Sequence, residues 1–161
     1  MATQYGYDIR HHVIDAIGYR WDYDYDGTNE SVVSITNEYN DTVYIPMFLP
    51  FEWRVGELPY LPAIEVTLVN APARMSNISG DIYYNTIFFD FNLYYVNNSS
   101  TGSMFGNLVV NKLCNLIFDN RTSVTSSYNI EVIDSSREFF EPSGNETIFH
   151  RIVSCKGYNY N

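Results

Sequence analysis

The stretch IYYNTIFFDFNLYYV (residues 82–96) is the strongest β-strand signal in the chain and decides the fold class. Successive side chains of a strand point to opposite sides, so this stretch has two distinct faces. One face is apolar and carries Phe89, Phe91, Leu93 and Tyr95. The other is half aromatic and half polar and carries Phe88, Asp90, Asn92 and Tyr94. The pattern leaves open which face is buried. A half-polar face suits contact with another subunit, and Phe88 and Tyr94 are the predicted contact residues.

The segments around this strand predict two helices and five further strands. Apolar residues at helical spacing indicate a helix over residues 7–17, which Gly18 ends. A second apolar stripe, in MFGNLVVNKLCNLIF (residues 104–118), indicates another helix with Thr101 or Ser103 as its N-cap. Further strands are expected at residues 31–36, 42–49, 63–70, 127–133 and 147–158.

The remaining segments are expected to be loops or turns. Pro46 lies within the strand at residues 42–49, which indicates either an edge strand or a bulge, because proline cannot donate to a ladder. The stretches APARMSNISGD (residues 71–81) and DSSREFFEPSGNE (residues 134–146) are predicted to connect strands without pairing.

The order of these elements predicts a single α+β domain over residues 1–161. We expect a mostly antiparallel sheet flanked on one face by two helices. An alternative is that the second helix is a crossover, which would pair its flanking strands in parallel.

Composition narrows the classes of function. The chain has 9 basic and 19 acidic residues, a net charge of −10, which disfavours binding to nucleic-acid phosphates. Its 15 tyrosines indicate assembly, because tyrosine is enriched at protein interfaces. The two cysteines, Cys114 and Cys155, are too few for a disulfide scaffold or a zinc site and are expected to be buried free thiols.

The stretch WDYDYDG (residues 21–27) looks like the opening of a calcium loop. Asp22, Asp24, Asp26 and Gly27 match positions 1, 3, 5 and 6 of an EF-hand, but position 12 is Val33, which cannot bind a cation. A looser calcium site at these three aspartates is the alternative to a solvated acidic connector. The intervening aromatics, Trp21, Tyr23 and Tyr25, are predicted to face a packed surface and to contribute to a subunit interface.

No pattern in the sequence predicts an enzyme. Adjacent His11 and His12 point to different sides of a helix, so they do not form the i, i+4 pair of zinc helices. His150 lies in the last predicted strand and is interpreted as structural. Motifs of nucleophilic catalysis and phosphate-cradling glycine loops are absent from the sequence. We therefore expect no catalytic residues and no cofactor.

The layout resembles that of the tail terminator, or tail completion, proteins of long-tailed viruses, which belong to the neck of the virion. The likeness covers most of the chain and is one of layout rather than of diagnostic residues. It rests on DIRHHVIDAI (8–17), LPAIEVTLVN (61–70), DIYYNTIFFDFNLYYV (81–96) running into GNLVVNKLCNLIF (106–118), and ETIFHRIVSCKGYNYN (146–161). WDYDYDG has no counterpart that we associate with this family.

The resemblance implies a structural virion protein that assembles in the host cytoplasm. Such a subunit forms a hexameric ring at the head-proximal end of the tail tube, ends tube growth and docks to the head–tail connector or another neck protein. Its partners would be further copies of itself, the tail tube protein and the connector. DNA would pass through the ring without specific binding, which the negative charge suits.

A different hypothesis is a β-rich, glycosylated surface module that binds carbohydrate or a protein. Seven N-x-S/T sequons favour it, at Asn29, Asn40, Asn77, Asn97, Asn98, Asn120 and Asn145. The polar start MATQYGYDIRHH predicts no export signal, and no apolar run predicts a membrane span, which counts against it.

Overall fold

The computed structural model describes residues 9–21, 32–48, 61–70, 73–75, 83–96, 101–121, 129–135 and 138–160. In these ranges the helices are α1, Ile9–Trp21, and α2, Phe105–Asp119. The strands are β1 (Val32–Thr36), β2 (Thr42–Phe48), β3 (Ala63–Asn70), β4 (Ala73–Met75), β5 (Tyr83–Val96), β6 (Asn129–Asp134), β7 (Glu138–Ser143) and β8 (Glu146–Tyr160). The predicted α+β class is confirmed.

The strands form one mostly antiparallel sheet in the order β1-β2-β3-β5-β8-β6. Two short strands are not part of this order: β4 pairs with β5, and β7 pairs with β8. β5 and β8 are paired along their length, from Tyr84 opposite Tyr160 to Val96 opposite Ile148. Since one edge of β8 is taken by β5, β6 and β7 both lie along its other edge. The β5–β8 pair is therefore the centre of the sheet.

The connection through α2 runs from β5 to β6, two strands that point the same way because each is antiparallel to β8. β8 lies between them, so the alternative prediction that these flanking strands would pair directly is wrong. The parallel pair in the described sheet is β2 with β3, through Met47 opposite Ile64 and Phe48 opposite Glu65.

Both helices pack on the apolar face of β5, and the core forms there. α1 packs against β1 and β3, while α2 packs against β6 and β8. The buried cluster includes the β5 residues Phe89, Phe91, Leu93 and Tyr95, the α1 residues Val13, Ile17 and Trp21, and the α2 residues Phe105, Val109, Leu113 and Ile117. The sheet therefore has an inner face covered by the helices and an outer face opposite to them.

Both helix boundaries predicted from local signals differ from the structure. α1 does not end at Gly18 but continues to Trp21, whose buried ring anchors the last turn in the core. The N-cap position of α2 is Met104, without a side-chain cap. Thr101 instead donates its hydroxyl to the Val96 carbonyl, and Ser103 binds the Glu38 carboxylate through its N–H and hydroxyl. Both residues thus bind groups outside α2 instead of capping its first turn.

Two strands lie in segments predicted to be loops. β4 lies within residues 71–81, and β7 lies within residues 134–146. β7 and β8 form a hairpin whose two-residue turn is Gly144 and Asn145, between the paired residues Ser143 and Glu146. Gly144 has φ of 62°, which fits the first turn position of a type II′ hairpin.

Pro46 does not mark an edge strand, because β2 lies between β1 and β3. It lies where β2 changes partner: residues 42–46 pair with β1, and the next two residues pair with β3. A residue without an N–H is tolerated at such a change because neither ladder continues through it. Residues 37–41 form the turn between β1 and β2, where the N–H of Asn37 donates to the carbonyl of Asp41 at 2.9 Å.

Candidate functional site: the outer face of the central sheet

The outer face of β5 carries the half-polar set that the sequence predicts. Phe88, Asp90 and Tyr94 are half-buried, and Asn92 is only 7% exposed. Both described helices lie on the other face, so in the described part of the chain no helix covers these residues. Phe88 and Tyr94, the predicted subunit contacts, thus share one face of the sheet.

A hydrogen-bond network across three strands orders this face. The amide Nδ2 of Asn92 donates to Thr67 Oγ1 at 2.8 Å and to the carbonyl of Glu65 at 3.3 Å. A carbonyl only accepts, so the Glu65 carbonyl fixes which way the amide points. The remaining oxygen, Oδ1, lies 3.1 Å from Nε2 of His150 on β8. His150 therefore carries its proton on Nε2.

The ring of His150 is held between aromatic side chains from two strands. Tyr94 stacks on it with ring centroids 4.4 Å apart and planes 17° from parallel. Phe139 of β7 contacts it at 5.8 Å between centroids in a tilted arrangement. The hydrogen bond to Asn92 and the stack on Tyr94 together fix the imidazole in one orientation. We call Thr67, Asn92, Tyr94, Phe139 and His150 the outer-face cluster.

Burial shifts the titration of the groups on this face. It lowers the pKa of His150, although the carboxylates of Glu141 and Asp90 oppose that shift. It also raises the pKa of Glu65. Burial, followed by the carboxylates of Glu65 and Glu141, raises the pKa of Tyr94 to about 12. His150 is therefore uncharged and Tyr94 protonated near pH 7, so the stacked pair is a neutral aromatic surface edged by carboxylates.

A second cluster lies on the inner face, where β7 meets α2. Arg151 donates from Nη1 to Asn107 Oδ1 at 2.8 Å and to Glu138 Oε2 at 3.3 Å, and the hydroxyl of Tyr95 donates to the same Glu138 oxygen. Gly106 lies directly against that hydroxyl, so a Cβ at this position would overlap it. These bonds tie β7 to β5, β8 and α2.

A pocket of about 390 Å³ separates the end of α2 from β6. Phe118, Arg121, Ile130 and Val132 line it together with Cys114. Cys114 is half-buried and Cys155 is buried, both as free thiols, as the sequence predicts for Cys155. Burial raises the pKa of both thiols, which makes them poor nucleophiles.

The remaining predicted site residues fall in two groups. Asp22, Asp24 and Asp26, the predicted calcium ligands, lie outside the described residues, as do Tyr23 and Tyr25. Trp21 is 1% exposed and packs with the core of its own chain, which leaves no ring surface for the predicted subunit contact. Within the described ranges, no three His, Cys, Asp or Glu side chains are grouped to hold a metal ion.

Sequence reasoning missed the links between Asn92 and His150 and between Glu138 and Arg151. The partners Asn92 and His150 are 58 positions apart, and only the β5–β8 register brings them together. The period-2 pattern places each residue on its face but does not identify its neighbour. The available signal for β7 was the FF pair (residues 139–140) shortly before the dipeptide Gly144–Asn145, which favours a two-residue hairpin turn.

Neither described helix has the length and apolar character needed to span a membrane. No protein-family model and no curated protein matches this chain.

Proposed function

We propose that this chain is a structural virion subunit that forms a ring at the head-proximal end of a viral tail tube. In this role it ends tube growth and docks to the head connector. The observation that carries the proposal is the outer face of β5, where Phe88 and Tyr94 are half-buried on a face that neither described helix covers. Tyr94 and His150 present a neutral stacked pair there, which another subunit can cover at little desolvation cost.

Two further properties support the proposal. Leu68 and Val69, at the end of β3, are also exposed, so more than one side of the subunit offers contact surface. Contacts through different surfaces of one chain are heterologous, and such contacts form a ring when the rotation between neighbouring subunits closes. The net charge of −10 suits a ring whose lumen passes DNA without holding it.

The test is the mass of the purified chain in solution, measured by light scattering. We expect a closed oligomer near six times the chain mass of 18.6 kDa, and a ring with a central hole by electron microscopy. Phe88→Asp places a charge on the outer face and should shift the mass toward the monomer. Tyr39→Asp is the control, because Tyr39 is exposed in the turn between β1 and β2. A monomer that also fails to bind the ends of tail tubes would contradict the proposal.

The second candidate, a glycosylated surface module, is favoured by the position of two sequons. Asn40 and Asn145 lie in exposed turns, whereas Asn120 is half-buried and donates its amide to the Leu116 carbonyl at 3.0 Å. Expression through a eukaryotic secretory pathway followed by intact mass separates the candidates. Glycans on Asn40 and Asn145, together with a monomeric mass, would favour the surface module over the ring.

A further inference from the structure

β7 is an edge strand with one side unpaired among the described residues. It pairs with β8 alone, in an unbroken register from Glu138 opposite Arg151 to Ser143 opposite Glu146. An exposed strand edge presents free backbone N–H and C=O groups and is a template for an added strand. β7 therefore offers the backbone half of a β-sheet interaction.

The hairpin turn fixes which backbone groups point outward. In a two-residue hairpin, the residues that flank the turn, Ser143 and Glu146, form a hydrogen-bonded pair, and such pairs alternate with non-hydrogen-bonded ones along the ladder. The N–H and C=O groups of Glu138 and Phe140 thus face away from β8. The backbone nitrogen of Pro142 also faces away from β8, so the absence of its N–H costs no hydrogen bond to β8. The free side of β7 is usable around Phe140.

The side chains of β7 provide apolar surface on both faces of the sheet. Phe139 is 43% exposed on the outer face, and Phe140 is 69% exposed on the inner face, where it lies 6.4 Å from the ring of Phe149. Ile133, in the neighbouring edge strand β6, is also exposed. An added strand would be flanked by a phenyl ring above and another below, which is how strand addition gains side-chain contacts.

The charges around this edge select the kind of strand that can add. The strands β6 and β7, and the turn of Gly144 and Asn145 between β7 and β8, contain no lysine or arginine. Their exposed carboxylates, with that of the first residue of β8, are those of Glu131, Asp134, Glu138, Glu141 and Glu146. Glu138 is paired with Arg151 at 3.3 Å, and Glu131 lies opposite Lys156 in the β6–β8 register, whereas Glu141 lies opposite Ile148. A second copy of β7 would bring the same carboxylates to the edge, and like charges on paired strands are destabilising.

We propose that β7 accepts an extended basic segment of a partner protein as an added strand, centred on Phe140. The partner's backbone pairs with Glu138 and Phe140, its apolar side chains cover Phe139 and Phe140, and its lysine or arginine side chains reach Glu141 and its neighbours. Phe139 also belongs to the outer-face cluster, but the unpaired backbone edge of β7 and Phe140 on the inner face do not, so the assignment does not depend on the ring.

The test is a titration of the full chain with a short, end-capped peptide in which lysine and valine alternate, followed by NMR of the backbone amides. We expect shifts centred on β7 and weaker binding at high salt, because the contact includes charge attraction. The matched variants are Phe140→Ala, which removes the ring, and Phe140→Pro, which also removes the outward N–H. Phe140→Pro should bind about tenfold more weakly than Phe140→Ala.

Three results would overturn the proposal. Equal binding by Phe140→Ala and Phe140→Pro would show that the backbone of β7 is not used. Equal binding of a peptide in which glutamate and valine alternate would show that charge does not select the partner. A lower oligomer mass of Phe140→Pro than of Phe140→Ala in the absence of peptide would assign the edge to a second copy of this chain.

Discussion

The sheet has two kinds of edge, and they are protected in different ways. At one end, β1 carries no charged residue, and the indole of Trp21 donates its N–H to the Ser34 carbonyl of this strand. At the other end, β7 has one side unpaired among the described residues, with two exposed phenylalanines between two glutamates. Covering an edge and charging an edge both discourage uncontrolled pairing. In the described part of the chain, Trp21 therefore contacts the β1 edge, whereas β7 pairs on one side only and carries exposed aromatic and acidic side chains there.

Removing the Trp21 side chain, which contacts the β1 edge, should have the largest effect on the free energy of unfolding. Trp21→Ala deletes a ring that is 1% exposed, and we expect it to lower the free energy of unfolding by about 3–5 kcal/mol. Trp21→Phe keeps most of the ring but leaves the Ser34 carbonyl without its donor, which should cost about 1 kcal/mol. Chemical denaturation followed by circular dichroism measures both.

The control for this pair is Tyr44→Ala, since Tyr44 lies on β2 and is 67% exposed. It should change the free energy of unfolding by less than about 0.5 kcal/mol. If Trp21→Ala were as mild as Tyr44→Ala, the β1 edge would not depend on Trp21 and the contrast between the two edges would disappear.

An intermediate effect on the free energy of unfolding is expected at Gly106, next to the Tyr95–Glu138 hydrogen bond that holds β7 to β5. A methyl group at position 106 would overlap the Tyr95 hydroxyl that donates to Glu138, so Gly106→Ala should lower the free energy of unfolding by about 1–3 kcal/mol. Tyr95→Phe removes that hydroxyl, which is the nearest atom, and leaves the ring carbon Cζ at 2.7 Å from the added methyl group. In a double-mutant cycle, the two changes together should cost less than the sum of the separate costs. Additive costs would show that the tight contact is not what requires glycine.

The smallest effect on the free energy of unfolding is expected for His150, on the outer face of the sheet. Because its folded pKa lies below the ordinary value of 6.5, His150 contributes stability that is present above that pH and is lost as the pH falls through the folded pKa. The groups around it are Tyr94 and Asp90 of β5, Glu141 and Phe139 of β7, and Asn92 through its hydrogen bond.

His150→Phe keeps an aromatic ring against Tyr94 but cannot titrate. The free energy of unfolding should therefore fall less steeply with acidification in this variant than in the wild-type chain, while the stability difference between them narrows at low pH. Denaturation at a series of pH values gives both curves, and NMR of the imidazole protons gives the folded pKa directly. A folded pKa above 6.5 would reverse the sign and contradict the burial of this ring.

The sequence predicted those features that depend on local periodicity. Phe89, Phe91, Leu93 and Tyr95 share one face of β5 because alternation is a property of any strand, whatever lies beside it. The pattern leaves open which face is buried, and the structure shows that this face forms the core. The sequence also predicted the apolar stripe of α2, because residues at helical spacing form one face of any helix. The α+β class, with both helices on one face of the sheet, follows from the order of such segments.

The tertiary structure decided everything that depends on partners distant in sequence. β7 is short and contains a proline, so it becomes a strand only because β8 pairs with it. Trp21 lies in the core because α1 continues past Gly18 and brings the indole to Ser34. Asn92 and His150 meet only through the register of β5 and β8. Local pattern fixes the direction of a side chain, whereas strand order and register, which are properties of the whole packed sheet, determine what that side chain meets.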